Sequence, residues 1–154
     1  MNNKEIQTPF AEMMPLITES FRQGMTATVP VTGNSMWPLF SHKRDCAVLS
    51  ACDGQRLRRG DVPLYQRPDG QYILHRIIKV KPDVYVLAGD AQRELEYLPK
   101  SCVVALMTAF IRKGKTVNCR NMRYRAYAWI WIAVRPLRPF LIRCAKFILK
   151  IKKR

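Results

Sequence analysis

The tripeptide Pro68-Asp69-Gly70 constrains this chain more than any other feature of its sequence. It stands between two runs rich in β-branched and aromatic residues, Val62–Gln66 and Gln71–Val80. Proline presets φ at the first corner of a turn, aspartate caps its own backbone, and glycine accepts the positive φ of a tight reversal. The flanking runs must then fold back on each other as an antiparallel hairpin. The same grammar recurs along the chain. Short apolar runs at Ala27–Thr32, Cys46–Ser50, Val84–Ala88, Cys102–Ile111 and Thr116–Cys119 alternate with turn formers such as Lys81-Pro82-Asp83 and Lys113-Gly114-Lys115. A mainly β, antiparallel assembly is expected over residues 26–120.

Helices are expected at both ends. Thr8-Pro9 reads as an N-cap and first helical residue, opening an amphipathic helix that runs to about Arg22 and stops at Gly24. Glu12, Glu19 and Arg22 exclude this segment, within residues 1–25, as a membrane span. The first 14 residues carry no apolar core of the kind a signal peptide or anchor needs.

The net charge of +16 is unevenly placed. Residues 1–111 carry 13 Lys/Arg against 11 Asp/Glu, whereas residues 112–154 carry 14 Lys/Arg and no acid. The excess therefore belongs to a basic tail, residues 121–154. Its uninterrupted apolar stretch, Ala126–Val134, is nine residues, about half of a membrane span. Arg135, Pro136, Arg138 and Pro139 break the pattern. Beyond them Phe140, Leu141, Cys144, Ile148 and Ile151 keep helical spacing among Arg143, Lys146, Lys150 and Lys153, which reads as a basic amphipathic helix.

Two partners fit such a tail, an anionic membrane surface or a nucleic acid. The membrane is preferred for residues 122–154, because Trp129, Trp131, Phe140, Phe147 and the aliphatics outnumber what phosphate binding needs. Packing of part of the tail on the β core is the third reading. Five cysteines occur without CxxC or Cys/His metal spacing, and their odd number argues for a reducing compartment. No metal or cofactor is expected.

The candidate chemistry begins at Gly33-Asn34-Ser35-Met36-Trp37-Pro38, where a serine lies between a strand end and a proline-restrained turn. A serine nucleophile needs a base titrating near neutrality, and imidazole has that property unperturbed. The chain has two histidines. His75 lies within the run Gln71–Val80, on the face of Ile73 and Ile77 if the strand alternates, whereas His42 stands in a polar loop beside Lys43 and Arg44. An acid cluster, Gly89 to Glu96, offers Asp90 at a strand end, where a carboxylate can fix the tautomer of His75. Taken alone, Ser35 reads rather as an everyday turn serine and His75 as a structural histidine, and Asp90 reads equally as an Asx cap.

Together these residues resemble a known family. Gly33-Asn34-Ser35-Met36-Trp37-Pro38 is similar to the nucleophile box of signal peptidase I and of LexA-type self-cleaving repressors. Arg59-Gly60-Asp61-Val62-Pro63-Leu64-Tyr65 resembles the family's second box. Leu74-His75-Arg76-Ile77-Ile78 stands where bacterial signal peptidases and LexA have a lysine, and is similar to the endoplasmic-reticulum and archaeal branch. Ala88-Gly89-Asp90 and Leu98-Pro99-Lys100-Ser101-Cys102-Val103-Val104 resemble the later boxes. The likeness covers about residues 30–105.

It implies a curled β fold and a Ser–His endopeptidase that cleaves a peptide or leader segment held extended. Ser35 would be the nucleophile, with its own N–H in the oxyanion hole, and His75 the general base. Glu96 or Asp90 would orient the base, and Asn34, Met36 and Trp37 would contact substrate. The family's membrane-spanning helix before the serine is replaced by the polar segment Pro9–Arg22, Ala91-Gln92 follows Gly89-Asp90 where asparagine is usual, and no helix-turn-helix unit precedes the serine box. A cytoplasmic enzyme, peripheral at the membrane, is therefore expected. The rival reading is a non-catalytic module of the same fold, using the groove or the tail to bind a protein, membrane or nucleic-acid partner.

Overall fold

A computed structural model describes residues 10–151, and within the last helix the side chains of residues 146 and 149–151 are not described. Thr8-Pro9, the expected helix start, lies outside the described residues. The first helix, α1, spans Phe10–Arg22. Phe10, Met13, Met14, Ile17 and Phe21 recur at helical spacing, and that stripe packs against the main apolar cluster.

Nine strands follow, all paired antiparallel: β1 Ala27–Pro30, β2 Asp45–Ser50, β3 Pro63–Gln66, β4 Tyr72–Leu74, β5 Arg76–Val80, β6 Val84–Ala88, β7 Glu96–Pro99, β8 Val103–Arg112 and β9 Lys115–Asn118. The mainly β expectation holds. The Pro-Asp-Gly hairpin forms between β3 and β4 with Gln66 opposite Tyr72. Gly70 adopts φ 83°, and Asp69 Oδ1 accepts the Gln71 N–H at 3.0 Å.

The strands divide into two sheets. One has the order β1-β2-β8-β3-β4, with β9 added to β8, and the other the order β5-β6-β7. Register shifts at Val48/Leu49 and Leu64/Tyr65 interrupt the ladders of β2 and β3 with β8. Such bulges bend a strand and increase its twist, and the first sheet is correspondingly curled.

The run Gln71–Val80, read from sequence as one strand, is two. It leaves the first sheet at Leu74 and enters the second at Arg76, with His75 between them. The apolar alternation continues across the break because each half buries side chains in its own core: Leu74 packs against the cluster of the first sheet, and Ile77 lies within that of the second. The strand β7 was not among the short apolar runs expected to form strands.

The tail is helical, as expected. It forms α2 Met122–Ala133, a short 3-10 turn Arg135–Leu137, and α3 Arg138–Ile151. Asn121 caps α2 through its side chain, accepting the Arg123 N–H at 2.9 Å. Tyr124, Ala128 and Ile132 bury one face of α2, so this helix packs on the body of the molecule.

Candidate active site

The break at His75 positions its ring at the junction of the two sheets. The side chain is buried, with 3% of its surface exposed. Its Nδ1 lies 3.0 Å from the Tyr65 hydroxyl and 3.2 Å from Glu96 Oε1. Tyr65 comes from β3 in the first sheet, and Glu96 opens β7 in the second. The three residues therefore tie the sheets together at the imidazole.

Proton accounting within this cluster fixes the tautomer. The Tyr65 hydroxyl donates its one proton to Glu96 Oε2 at 2.9 Å. Burial, reinforced by Glu96, pushes the Tyr65 pKa far upward, so the phenol stays protonated. Around Nδ1 there is then only an acceptor hydroxyl and a carboxylate, and Nδ1 must carry the hydrogen. Nε2 is left with its lone pair, the form that a general base requires. No hydrogen bond to Nε2 exists among the described residues.

Burial lowers the pKa of His75 below 6.5, while Glu96 pulls it back upward. The ring is thus neutral at pH 7. Burial alone would raise the Glu96 carboxyl, but hydrogen bonds from Arg67 and Tyr65 outweigh it and hold Glu96 below the usual glutamate range. Arg67 grips both carboxylate oxygens, its Nε at 3.0 Å from Oε2 and its Nη2 on Oε1.

Ser35 reaches its place from the end of β1 through the turn Gly33–Asn34. Gly33 sits at φ 82°, and its N–H donates to His42 Nδ1 at 2.9 Å. Asn34 Oδ1 accepts the His42 backbone N–H at 3.3 Å. His42 is exposed, yet its ring braces the turn that carries Ser35. The Ser35 N–H donates to no group among the described residues, which leaves it available as an oxyanion donor. The Ser35 carbonyl accepts the Ala91 N–H at 2.8 Å. A Cβ on Gly89 would lie 2.6 Å from that carbonyl oxygen, so only glycine allows this approach.

The Gly89–Ala91 loop in turn joins the serine turn to Arg76, the residue after His75. Asp90 does not contact His75. Its carboxylate forms a fully buried, bidentate pair with Arg76, the neighbour of His75, at 2.9 and 2.8 Å. The carboxylate partner of His75 is Glu96.

No family model, curated protein or solved structure matches this chain.

A groove of about 540 Å³ runs beside Ser35, between the two end strands of the curled sheet. Val29 to Gly33 form one wall and Tyr72 to Leu74 the other, with Phe10 packed on Tyr72 at one end, ring centroids 5.6 Å apart. Met36 borders the groove, but Asn34 and Trp37 do not. Ser35 Oγ and His75 share no hydrogen bond here. Catalytic hydrogen bonds commonly tighten only in the substrate complex.

Sequence reasoning missed Tyr65, Arg67 and the pairing of Arg76. One signal was present: a guanidinium inside the apolar run Ile73–Ile78 needs a buried carboxylate, and Asp90 was the acid at the nearest strand end. Among the described residues no cluster of His, Cys, Asp or Glu forms a metal site, and the five cysteines are unpaired and half-buried.

Proposed function

We propose that this chain is a serine endopeptidase of the signal peptidase/LexA type, using Ser35 as nucleophile and His75 as general base. The observation that carries this reading is the Tyr65–Glu96 cradle, which puts the hydrogen of His75 on Nδ1 and leaves Nε2 basic.

In this mechanism Nε2 takes the Ser35 hydroxyl proton as Oγ attacks the scissile carbonyl. Glu96 then faces an imidazolium rather than a neutral ring, and its carboxylate stabilises the new charge. The free Ser35 N–H stabilises the oxyanion, a contribution of about 3–4 kcal/mol for one well-placed donor. His75 next returns the proton to the leaving amine, and a water repeats the sequence to release the acyl group. The substrate fits as an extended segment between β1 and β4, whose outer backbone groups lie at the ends of the sheet and are free to pair with it.

The test is cleavage of a proteome-derived peptide library, read as new N-termini. The wild type should generate cleavages that Ser35→Ala and His75→Ala each abolish. Cleavages that persist in either variant overturn the assignment. A binding module would give no serine-dependent cleavage and equal peptide retention by all three proteins.

A further inference from the structure

The exposed apolar surface of this molecule is concentrated in its C-terminal helices. On α3 and the turn before it, Phe140 and Leu141 stand three and four residues after Leu137, and Phe147 and Ile148 stand seven residues, two helical turns, beyond Phe140 and Leu141, so the five share one helical face. That stripe faces solvent: Phe140 is 69% exposed, Phe147 67%, Leu137 60% and Ile148 58%. A contiguous apolar face of this kind marks a contact surface. Arg143 is exposed beside it, and the sequence places Lys146 and Lys150 three and seven residues further on.

Charge decides what can cover the stripe. From residue 112 onward the chain has 14 Lys/Arg and no acid. A second copy would bring two purely cationic surfaces together and oppose its own docking. A nucleic acid would answer the charge but leave the leucine and isoleucine side chains in water. An anionic lipid surface satisfies both, with acyl chains beneath the stripe and headgroups around the cations. Crossing the bilayer is not an option for α3, because its 14 residues extend only about 21 Å against about 30 Å of hydrocarbon. No helix among the described residues is long and apolar enough to span.

We infer that α3 lies in the headgroup region of an anionic membrane, with the Leu137–Ile148 stripe inserted and its basic flank on the lipid phosphates. The helix is not a loose tether. Arg138, buried at its first turn, donates to the Trp131 carbonyl at 2.9 and 2.8 Å, and its Nη1 lies 3.5 Å from the Gly89 carbonyl. Trp131 Nε1 donates to the Asp90 carbonyl at 3.1 Å. Membrane docking would thus hold the loop behind Ser35 at a fixed relation to the lipid surface. The proposal stands apart from the peptidase reading, since it uses neither Ser35 nor His75.

Co-sedimentation of the full chain with vesicles tests it. The protein should pellet with phosphatidylcholine vesicles containing a quarter phosphatidylglycerol and stay in solution with pure phosphatidylcholine. The double variant Phe140→Ser/Phe147→Ser should lose about tenfold or more in partition coefficient, since two phenyl groups no longer leave water. Both residues are exposed, and circular dichroism should confirm an unchanged fold. Equal sedimentation of the double variant would reduce the contact to charge adsorption and overturn insertion. So would failure of the wild type to pellet with the anionic vesicles. A dimer in sedimentation velocity that the same substitutions dissociate would place a second copy on the stripe and also overturn it.

Discussion

At the scale of single residues, His75 is defined by what surrounds it rather than by its own chemistry. Its burial favours the neutral ring, and the Glu96 carboxylate favours the charged one; burial wins. An NMR titration of the two imidazoles should show His75 changing charge below pH 6.5, with His42→Ala assigning the other resonance. Glu96→Gln removes the group that pulls the value upward, so the midpoint should fall further. A midpoint that rises in this variant would mean that Glu96 is not the dominant neighbour. For cleavage the same change should lower kcat by on the order of 10³, because an amide cannot stabilise the imidazolium or enforce the tautomer. Tyr65→Phe deletes the hydroxyl between His75 and Glu96, and should cost about 1–2 kcal/mol in urea-induced unfolding. That expected loss is small because the Glu96 contact to Nδ1 remains.

At the scale of elements, the loop Gly89–Ala91 links the serine turn to the second sheet. Gly89→Ala forces a methyl group into the space held by the Ser35 carbonyl, 2.6 Å from the new carbon. Overpacking of this kind costs about 1–3 kcal/mol, and it should displace Ser35, so cleavage should fall far more than thermal stability does. Asp90→Ala leaves Arg76 buried without its counter-charge, and removing one partner of a buried pair costs about 3–5 kcal/mol. A thermal melt within a degree of wild type would show that water has replaced the carboxylate. These elements also mark how far the sequence could be read. The Pro-Asp-Gly hairpin and the strand Val84–Ala88 were legible because their turn residues and apolar runs point the same way. The break at His75 was not, because a period of two looks the same whether one sheet or two receive the side chains. The docking of α2 was legible only as the third reading of the tail, because Tyr124 is buried through a hydroxyl that pairs with Arg76 at 3.2 Å, a partner 48 positions away. Ser35 and His75 were singled out in the sequence by residue type and box order, and their roles belong to the proposed function. Glu96 was one of two acids considered, and only the fold separates it from Asp90.

At the scale of the whole molecule, several buried ionisable groups set how stability follows pH. His75 has a lowered pKa, so its contribution is complete above pH 6.5 and is lost as pH falls through the folded value. Glu96 and Asp45 are also lowered: burial opposes ionisation of Asp45, but Arg44 and Arg112 overcome it. Their contributions are lost at still lower pH. Asp61, raised by burial, works in the opposite direction and favours the fold where it is protonated. Urea midpoints should therefore be level from about pH 7 to 8 and fall in two stages below 6.5, the first absent in a His75 variant. A single transition near pH 4 in the wild type would contradict the burial of His75. The helices α2 and α3 stand outside this pattern altogether. From Met122 onward the chain has no aspartate, glutamate or histidine, so its charge is constant across pH 5 to about 8. On the two proposals, attachment and cleavage should answer to different solution variables. Ionic strength should govern where the molecule sits, while acidity governs whether His75 can act, and an experimenter can turn either dial alone.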